Sequence, residues 1–433
     1  MKLIRILLEW KLRVLARWIL RKYHPRVVGV TGSVGKTSAV AAIHTVLSAK
    51  FRARKNIKNY NNELGVPLSI IGAESGRKNP LSWLLVFLRT AGLLIVRSRQ
   101  YPEVLVLEMG ADKPGDIRYL VNLVPCTVGV LTAIGPAHLE LFGTMERVIR
   151  EKRLVVSHLP PDGTAVLNAD DPAVLGCREK VSAHIVTFGY VDTADVRATE
   201  VDVSAGPSGE PWADAAIRGL SFKLLYGGST VPVFLPSVIG EHQVYSALVA
   251  AAVGISFGMN LADVSAALGR YQSPPGRMRL LPGIQRTSII DDTYNSSPLA
   301  ATAALKVLRK VSVPGLKYAV LGDMLELGAY TDAGHREVGA AAVGAAQVLV
   351  TVGERSRITA EAARAGGMAD QQVFCFATPA EASRFLLSRI QQGDIILVKG
   401  SQGARMEPIV RDLMAEPERA GELLVRQGPE WRQ

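Results

Sequence analysis

The residues best suited to chemistry begin at Thr31-Gly32-Ser33-Val34-Gly35-Lys36-Thr37-Ser38, directly after the apolar run Val27-Val28-Gly29-Val30. A buried strand, a glycine-rich turn and Lys-Thr opening a helix leave backbone N–H groups free to cradle phosphates. In such a loop the Lys36 ammonium reaches the β/γ-phosphates and the Thr37 hydroxyl holds Mg²⁺. The full eight-residue P-loop has glycine where Val30 stands, so this is a shortened variant, and a plain structural turn is its ordinary alternative. Two further residues fall at similar places. Glu108 ends the apolar run Val104–Leu107, and His138 follows the run Val128–Thr132 through Ile134-Gly135-Pro136-Ala137.

Those runs read as buried strands of a parallel sheet, and strands alternating with helical stretches indicate an α/β fold. Ligands of such sheets sit at the carboxyl ends of the strands, where Lys36, Glu108 and His138 all lie. From Val191 to Pro236 the pattern is irregular and predicts short strands, and Tyr245–Gly254 predicts a helix. Ser273-Pro274-Pro275-Gly276 reads as a linker. Beyond it a second, Rossmann-like α/β unit is expected. Thr287–Asp292 and Tyr318–Asp323 are strands ending in acids, and Val348–Val352 and Asp394–Gly400 are strands as well. The expected division is a basic N-terminal helix (1–26), a P-loop ATP-binding domain with a mainly parallel sheet (27–276, with an apolar insertion at 81–96) and a C-terminal domain (277–433).

A chain of 433 residues accommodates two or three domains. Its net charge of +11 admits nucleic acid, anionic membrane or anionic substrates as partners. Lys2, Arg5, Lys11, Arg13, Arg17, Arg21, Lys22 and Arg26 crowd the N-terminus, opposed only by Glu9. They are interleaved with Leu and Trp rather than set in a base-stacking pattern, which disfavours nucleic acid. Cys126, Cys177 and Cys375 have no Cys-x-x-Cys spacing, so a disulfide framework or structural zinc is not expected and a reducing cytoplasm fits. The N-terminus has no signal-peptide pattern and is too charged to span a bilayer. It and the run Leu81–Val96 are either interfacial helices on an anionic membrane or helices that pack on each other or on the core.

Seven blocks together resemble the Mur ligases, which build the peptide stem of bacterial cell walls. They are Thr31–Thr37; Asn61-Asn62-Glu63-Leu64-Gly65-Val66-Pro67-Leu68; Glu108-Met109-Gly110-Ala111; Ile134–Gly143; Asp291–Pro298; Leu321–Gly328 with His335 following; and Lys399-Gly400-Ser401. The last three are similar to those of the members that add D-alanyl-D-alanine to a muramoyl-tripeptide.

The resemblance implies that ATP phosphorylates a carboxylate and an amine then displaces phosphate from the acyl phosphate. It implies that Thr31, Gly32, Ser33, Gly35, Lys36, Thr37 and Ser38 bind ATP, and that Thr37, Glu108, His138 and Lys152 serve Mg²⁺. Catalysis would rest on Lys36, Glu108, His138 and Lys152. Lys152 falls where the family carries a carbamylated lysine, although the family's Glu two positions later is Leu154 here, and a solvated helix lysine is the alternative. Arg277 and Asp292 match C-terminal ATP contacts. Gln243 keeps one amide of a Gly-x-His-Asn-x-x-Asn block whose second Asn is Ser246. Asn295, Asp323, Glu326 and His335 line motif loops expected to face the incoming dipeptide. ATP contacts from both sides of the linker imply domain closure.

The family also carries a UDP-binding domain before the P-loop, where this sequence has about 26 residues, so that domain is expected to be missing. A lipid-linked muropeptide or a poly-γ-glutamyl chain is then an alternative acceptor, and a non-catalytic nucleotide-binding membrane scaffold is the reading from another class. The chain is read as a cytoplasmic monomer, with peripheral membrane contact in the interfacial-helix case.

Overall fold

The structure, a computed structural model, describes residues 2–56, 60–77, 79–135, 139–204, 219–240, 242–428 and 431. Two compact units emerge: Met1–Glu200 with Phe222–Val233 and Val244–Tyr271, and Val201–Ser221 with Phe234–Gln243 and Gln272–Gln433.

The first sheet contains β1 (Arg26–Thr31), β2 (Ala53–Lys55), β3 (Val104–Glu108), β4 (Val128–Leu131), β5 (Thr164–Asn168), β6 (His184–Gly189), β7 (Val196–Ser204), β8 (Gly219–Tyr226) and β9 (Ser229–Pro236). Its order is β2-β3-β1-β4-β5-β6-β7-β8-β9. Every pair from β2 to β7 is parallel. β1, β3 and β4 are apolar on both faces because helices cover both sides. With β1 between β3 and β4, the loops that follow these three strands open at one edge. The segment predicted to hold short strands forms β7, β8 and β9, of nine, eight and eight residues. In β8, buried Leu220, Phe222 and Leu224 alternate with Ser221 and Lys223, a regular half-buried pattern that the surrounding Gly and Pro obscure in the sequence.

The helices around the site are α1 (Lys2–Tyr23), α2 (Lys36–Leu47), α3 (Gly65–Ile71), α4 (Pro80–Ile95), α5 (Asp116–Leu123), α6 (Leu139–Phe142) and α7 (Met145–Ser157). Leu12, Ala16, Ile19 and Leu20 of α1 join one core with Val66, Leu68 and Ile70 of α3 and Val86 of α4. Lys22 Nζ donates to the carbonyl oxygens of Leu93 (3.0 Å) and Leu94 (2.7 Å), and Tyr23 Oη donates to that of Leu93 (3.0 Å). A cation thus meets the last carbonyls of α4, where the helix dipole favours it. The two apolar segments therefore pack on each other and on the core. Among the described residues no helix is long and apolar enough to cross a membrane.

The second unit carries β10 (Arg279–Pro282), β11 (Ser288–Asp292), β12 (Lys317–Gly322), β13 (Val348–Val352), β14 (Val373–Phe376) and β15 (Ile395–Lys399), in the order β10-β11-β15-β12-β13-β14. β10 is antiparallel to β11, and the remaining pairs are parallel. Neighbouring strand ends thereby present Asp291 and Asp292 (β11), Lys399 (β15) and Asp323, just beyond β12.

Candidate active site

In the first unit the phosphate loop joins β1 to α2. Gly35 caps α2 in the left-handed region (φ 81°) and, as glycine, brings no side chain to the helix's first N–H groups. That leaves backbone N–H groups at the positive end of the helix dipole, the arrangement that binds phosphate. The loop is tied down from β4. Ser33 N donates to the Ala133 carbonyl (2.7 Å), Thr132 Oγ1 to that of Val34 (2.6 Å) and Ser33 Oγ to that of Gly135 (2.9 Å). A Cβ at Gly32 would stand 2.0 Å from Thr132 Oγ1, so this close approach requires glycine. Buried Thr31 donates to the Met109 carbonyl (2.8 Å), joining the loop to the segment after β3, and Ser38 is buried in α2.

Thr37 Oγ1 donates to Glu108 Oε2 (2.9 Å), and Asn61 Nδ2 donates to Glu108 Oε1 (3.2 Å). Asn56 brackets the Glu108 backbone: its Oδ1 accepts from the Glu108 N–H, and its Nδ2 donates to the Glu108 carbonyl at 3.4 Å. The carboxylate is thus held by both oxygens beside the P-loop hydroxyl. Asn56 and Asn61 are site-building residues that the sequence reading left without a role. Only Asn61 carried a signal, its place in the Asn-Asn-x-x-Gly block.

Lys152 comes from α7. The spacing Val148, Glu151, Lys152, Val155, Val156 places it on that helix's buried face. Glu151 Oε1 accepts from the N–H groups of Ile117 (2.8 Å) and Arg118 (3.3 Å), docking α7 onto the N-terminus of α5. Lys152 Nζ then reaches the Gly32 carbonyl (3.0 Å), to which Lys36 Nζ also donates (2.9 Å). Burial and the second ammonium at Lys36 pull the Lys152 pKa down to about 8, against weaker opposing pulls from Glu151 and Asp112. Two amines thus converge on one carbonyl oxygen of the phosphate loop. His138 lies outside the described residues.

In the second unit, Asp291 and Asp292 end β11. Asp291 is fully buried, accepting from the N–H groups of Gly276 (2.9 Å) and Thr293 (3.2 Å) and from Thr293 Oγ1 (2.6 Å). Burial lifts its pKa to about 6. Asp292 accepts from Lys399 Nζ (2.6 Å) and from the Met278 N–H (3.2 Å), and Lys399 also donates to the Asn295 carbonyl (2.9 Å). Lys399 thus positions two expected ligand residues, a role not read from its Lys-Gly-Ser block. The Arg277 guanidinium lies over the Tyr294 ring, 3.9 Å from its centroid. Exposed Asn295 and half-buried Asp323 stand on neighbouring loops, joined through Ser401 to the Ser296 and Asp323 carbonyls (3.3 and 3.0 Å). Glu326 is exposed, in the left-handed region at φ 62°.

Two expected ligand residues face inward instead. His335 is 0% exposed: its Nε2 accepts from the Met324 N–H (3.1 Å), which leaves Nδ1 as the donor to the Thr331 carbonyl (2.7 Å). It fixes the Leu321–Gly328 loop from behind rather than facing solvent. Gln243 is buried, with Nε2 donating to Ser273 Oγ (3.1 Å) and the Arg277 carbonyl (2.9 Å), so it braces the linker.

Comparison with known proteins agrees with this geometry. Residues 88–254 match the Mur ligase middle domain and residues 276–402 the Mur ligase, glutamate ligase domain. The UDP-N-acetylmuramoyl-tripeptide–D-alanyl-D-alanine ligase of Escherichia coli (strain K12) is 31% identical over 402 residues, covering 92% of this chain and 79% of that protein. The Bacillus subtilis (strain 168) ligase of the same name is 29% identical, covering 94% and 79%. Among solved structures, MurF from Acinetobacter baumannii (crystal structure II) superposes with a TM-score of 0.77 at 27% identity, covering 93% of this chain and 80% of that one. MurF from Thermotoga maritima in complex with ADP superposes at 0.73 with 26% identity, covering 95% and 84%. With a relative 31% identical along most of both chains and the family's motif loops gathered at the strand ends of two α/β units, this protein belongs to the Mur ligase family of ATP-dependent ligases.

Proposed function

We propose that the protein joins D-alanyl-D-alanine to the terminal carboxylate of a muramoyl-tripeptide, using ATP and forming ADP and phosphate. The observation that carries this reading is the joint placement of Lys36, Thr37, Glu108 and Lys152 around one phosphate loop, in a chain similar along most of its length to ligases of that name. The acceptor carboxylate attacks the γ-phosphorus, an O–P bond forms and the bond to ADP breaks. The dipeptide amine then attacks the acyl carbon, an N–C bond forms, the C–O bond to phosphate breaks, and the phosphate leaves with the amine's proton. Lys36 and the α2 N-terminus neutralise charge on the transferring phosphoryl group, in a loop already fixed by Thr132 and Ser33.

The hydroxyl of Thr37 and the carboxylate of Glu108 are hard oxygen donors that fit Mg²⁺, and His138 is proposed as a further ligand. When bound, the ion offsets phosphate charge and orients the γ-phosphoryl group. Asn61 holds Glu108 turned toward the loop. Lys152 is proposed to be carbamylated. The ammonium first gives up a proton to water; carbon dioxide then adds to the neutral amine, an N–C bond forms, one N–H proton goes to water, and the side chain ends as a carboxylate. The lowered pKa supports this, because only the neutral amine reacts. In the second unit Arg277 and Asp292 are proposed to hold ATP, with Asn295, Asp323 and Glu326 toward the dipeptide. The reaction draws on cytoplasmic ATP, so the reading puts the protein in the cytoplasm.

The test is ADP release with ATP, Mg²⁺ and D-alanyl-D-alanine, offering UDP-linked and lipid-linked muramoyl-tripeptide in parallel. Turnover that requires both the dipeptide and one acceptor is expected. ADP release indifferent to both contradicts the reading. A lipid-linked acceptor is the second reading, favoured by the apolar outer surfaces of α1 and α4.

A further inference from the structure

We propose that the outer faces of α1 and α4 form a docking surface for an anionic lipid bilayer, on which the protein lies without crossing it. On α4, Leu81, Leu84, Leu85, Leu88 and Ile95 share one helix face, and all are solvent-exposed, Leu85 at 66% and Ile95 at 81%. The opposite face carries buried Val86 and Thr90. α1 repeats the design. Leu12, Ala16 and Ile19 are fully buried, while Ile6, Leu7, Trp10 and Trp18 emerge on the opposite side. Lys22 and Tyr23 bind the end of α4, so the two helices are held as a pair with apolar side chains outward. Nine large apolar side chains on two adjoining helices exceed the scattered exposure of an ordinary surface and mark an interaction site.

The charge around these helices identifies the partner. Lys11, Arg21, Arg77, Arg89, Arg97 and Arg99 are exposed on them or at their margins, against exposed Glu74. A second copy docked face to face would set this cation excess against itself. An anionic headgroup layer attracts it, with leucines entering the acyl boundary and tryptophans at the interface. With no helix both long and apolar enough to span among the described residues, the geometry is that of a peripheral contact. The inference does not depend on which acceptor the enzyme uses, since vesicle binding and ADP release are read separately.

The experiment is flotation of the purified full chain with vesicles of phosphatidylcholine alone, or of phosphatidylcholine and phosphatidylglycerol two to one, while tryptophan emission is followed. Binding to the anionic vesicles only, weakening with salt and accompanied by a blue shift, is expected. Replacing Leu85→Glu and Leu88→Glu together should cut vesicle partitioning by at least about tenfold and leave ADP release with a UDP-linked acceptor unchanged. The proposal is overturned if the wild-type chain stays unbound, or if the double variant binds as well. It is also overturned if the chain ignores vesicles and forms a dimer that the same two substitutions dissociate, since the face is then a contact between copies.

Discussion

Lysines stand in the candidate site of both units, but their partners differ. In the first unit Lys36 and Lys152 both donate to the neutral carbonyl of Gly32. In the second, Lys399 is matched by the Asp292 carboxylate at 2.6 Å, almost fully buried. In the first arrangement burial and the neighbouring Lys36 ammonium depress the Lys152 pKa. The second is neutralised internally and serves to position Asp292 and Asn295. The same residue type is thus proposed for the chemistry in one unit and serves the scaffold in the other.

The largest effect is expected at Lys399. Lys399→Met strips a buried carboxylate of its partner and should destabilise the second unit by about 3–5 kcal/mol in denaturant titration, with much of that recovered when Asp292→Asn is added. Lys36→Ala should show the opposite profile: kcat falls about 10²–10³-fold while the melting temperature barely moves. With carbon dioxide and bicarbonate removed, so that Lys152 is a free amine, Lys152→Met should raise the melting temperature of the first unit by about 2–4 °C, while turnover measured with bicarbonate present falls. The sign follows from linkage. The folded pKa is near 8 against an ordinary 10.5, so the unfolded chain holds the proton more tightly and the buried cation costs stability. The variant's advantage is complete below about pH 8 and fades as pH rises toward 10.5. A Lys152→Met chain less stable than wild type at neutral pH would erase the contrast between the units. The smallest effect is expected for Asn61→Ala, which frees one oxygen of Glu108: the Mg²⁺ concentration for half-maximal activity should rise about tenfold, with the fold intact.

Much of this was legible in the sequence. The P-loop and the strands ending at Glu108 and Asp292 follow from apolar runs and glycine positions, which are local signals. What was not legible depends on tertiary contact. His335 sits at family-like spacing, yet its buried ring spends both nitrogens on the backbone. Gln243 reads as a free amide, yet it braces the linker. Nothing in the spacing of Asn56 or Asn61 reveals that they clamp Glu108, because those contacts join segments about fifty residues apart. The apolar run at 81–96 reads as a helix, but its outward face becomes visible only once Lys22 and Tyr23 fix its inner one.

The central claim is that the phosphate loop activates a carboxylate as an acyl phosphate, and heavy oxygen tests it most directly. Muramoyl-tripeptide carrying heavy oxygen in its terminal carboxylate is turned over with ATP, Mg²⁺ and D-alanyl-D-alanine, and the released phosphate is examined by mass spectrometry. One labelled oxygen in each phosphate formed is the predicted result, abolished by Lys36→Ala. Unlabelled phosphate accompanying amide formation would contradict the account, because the carboxylate oxygen would then never have been bonded to phosphorus.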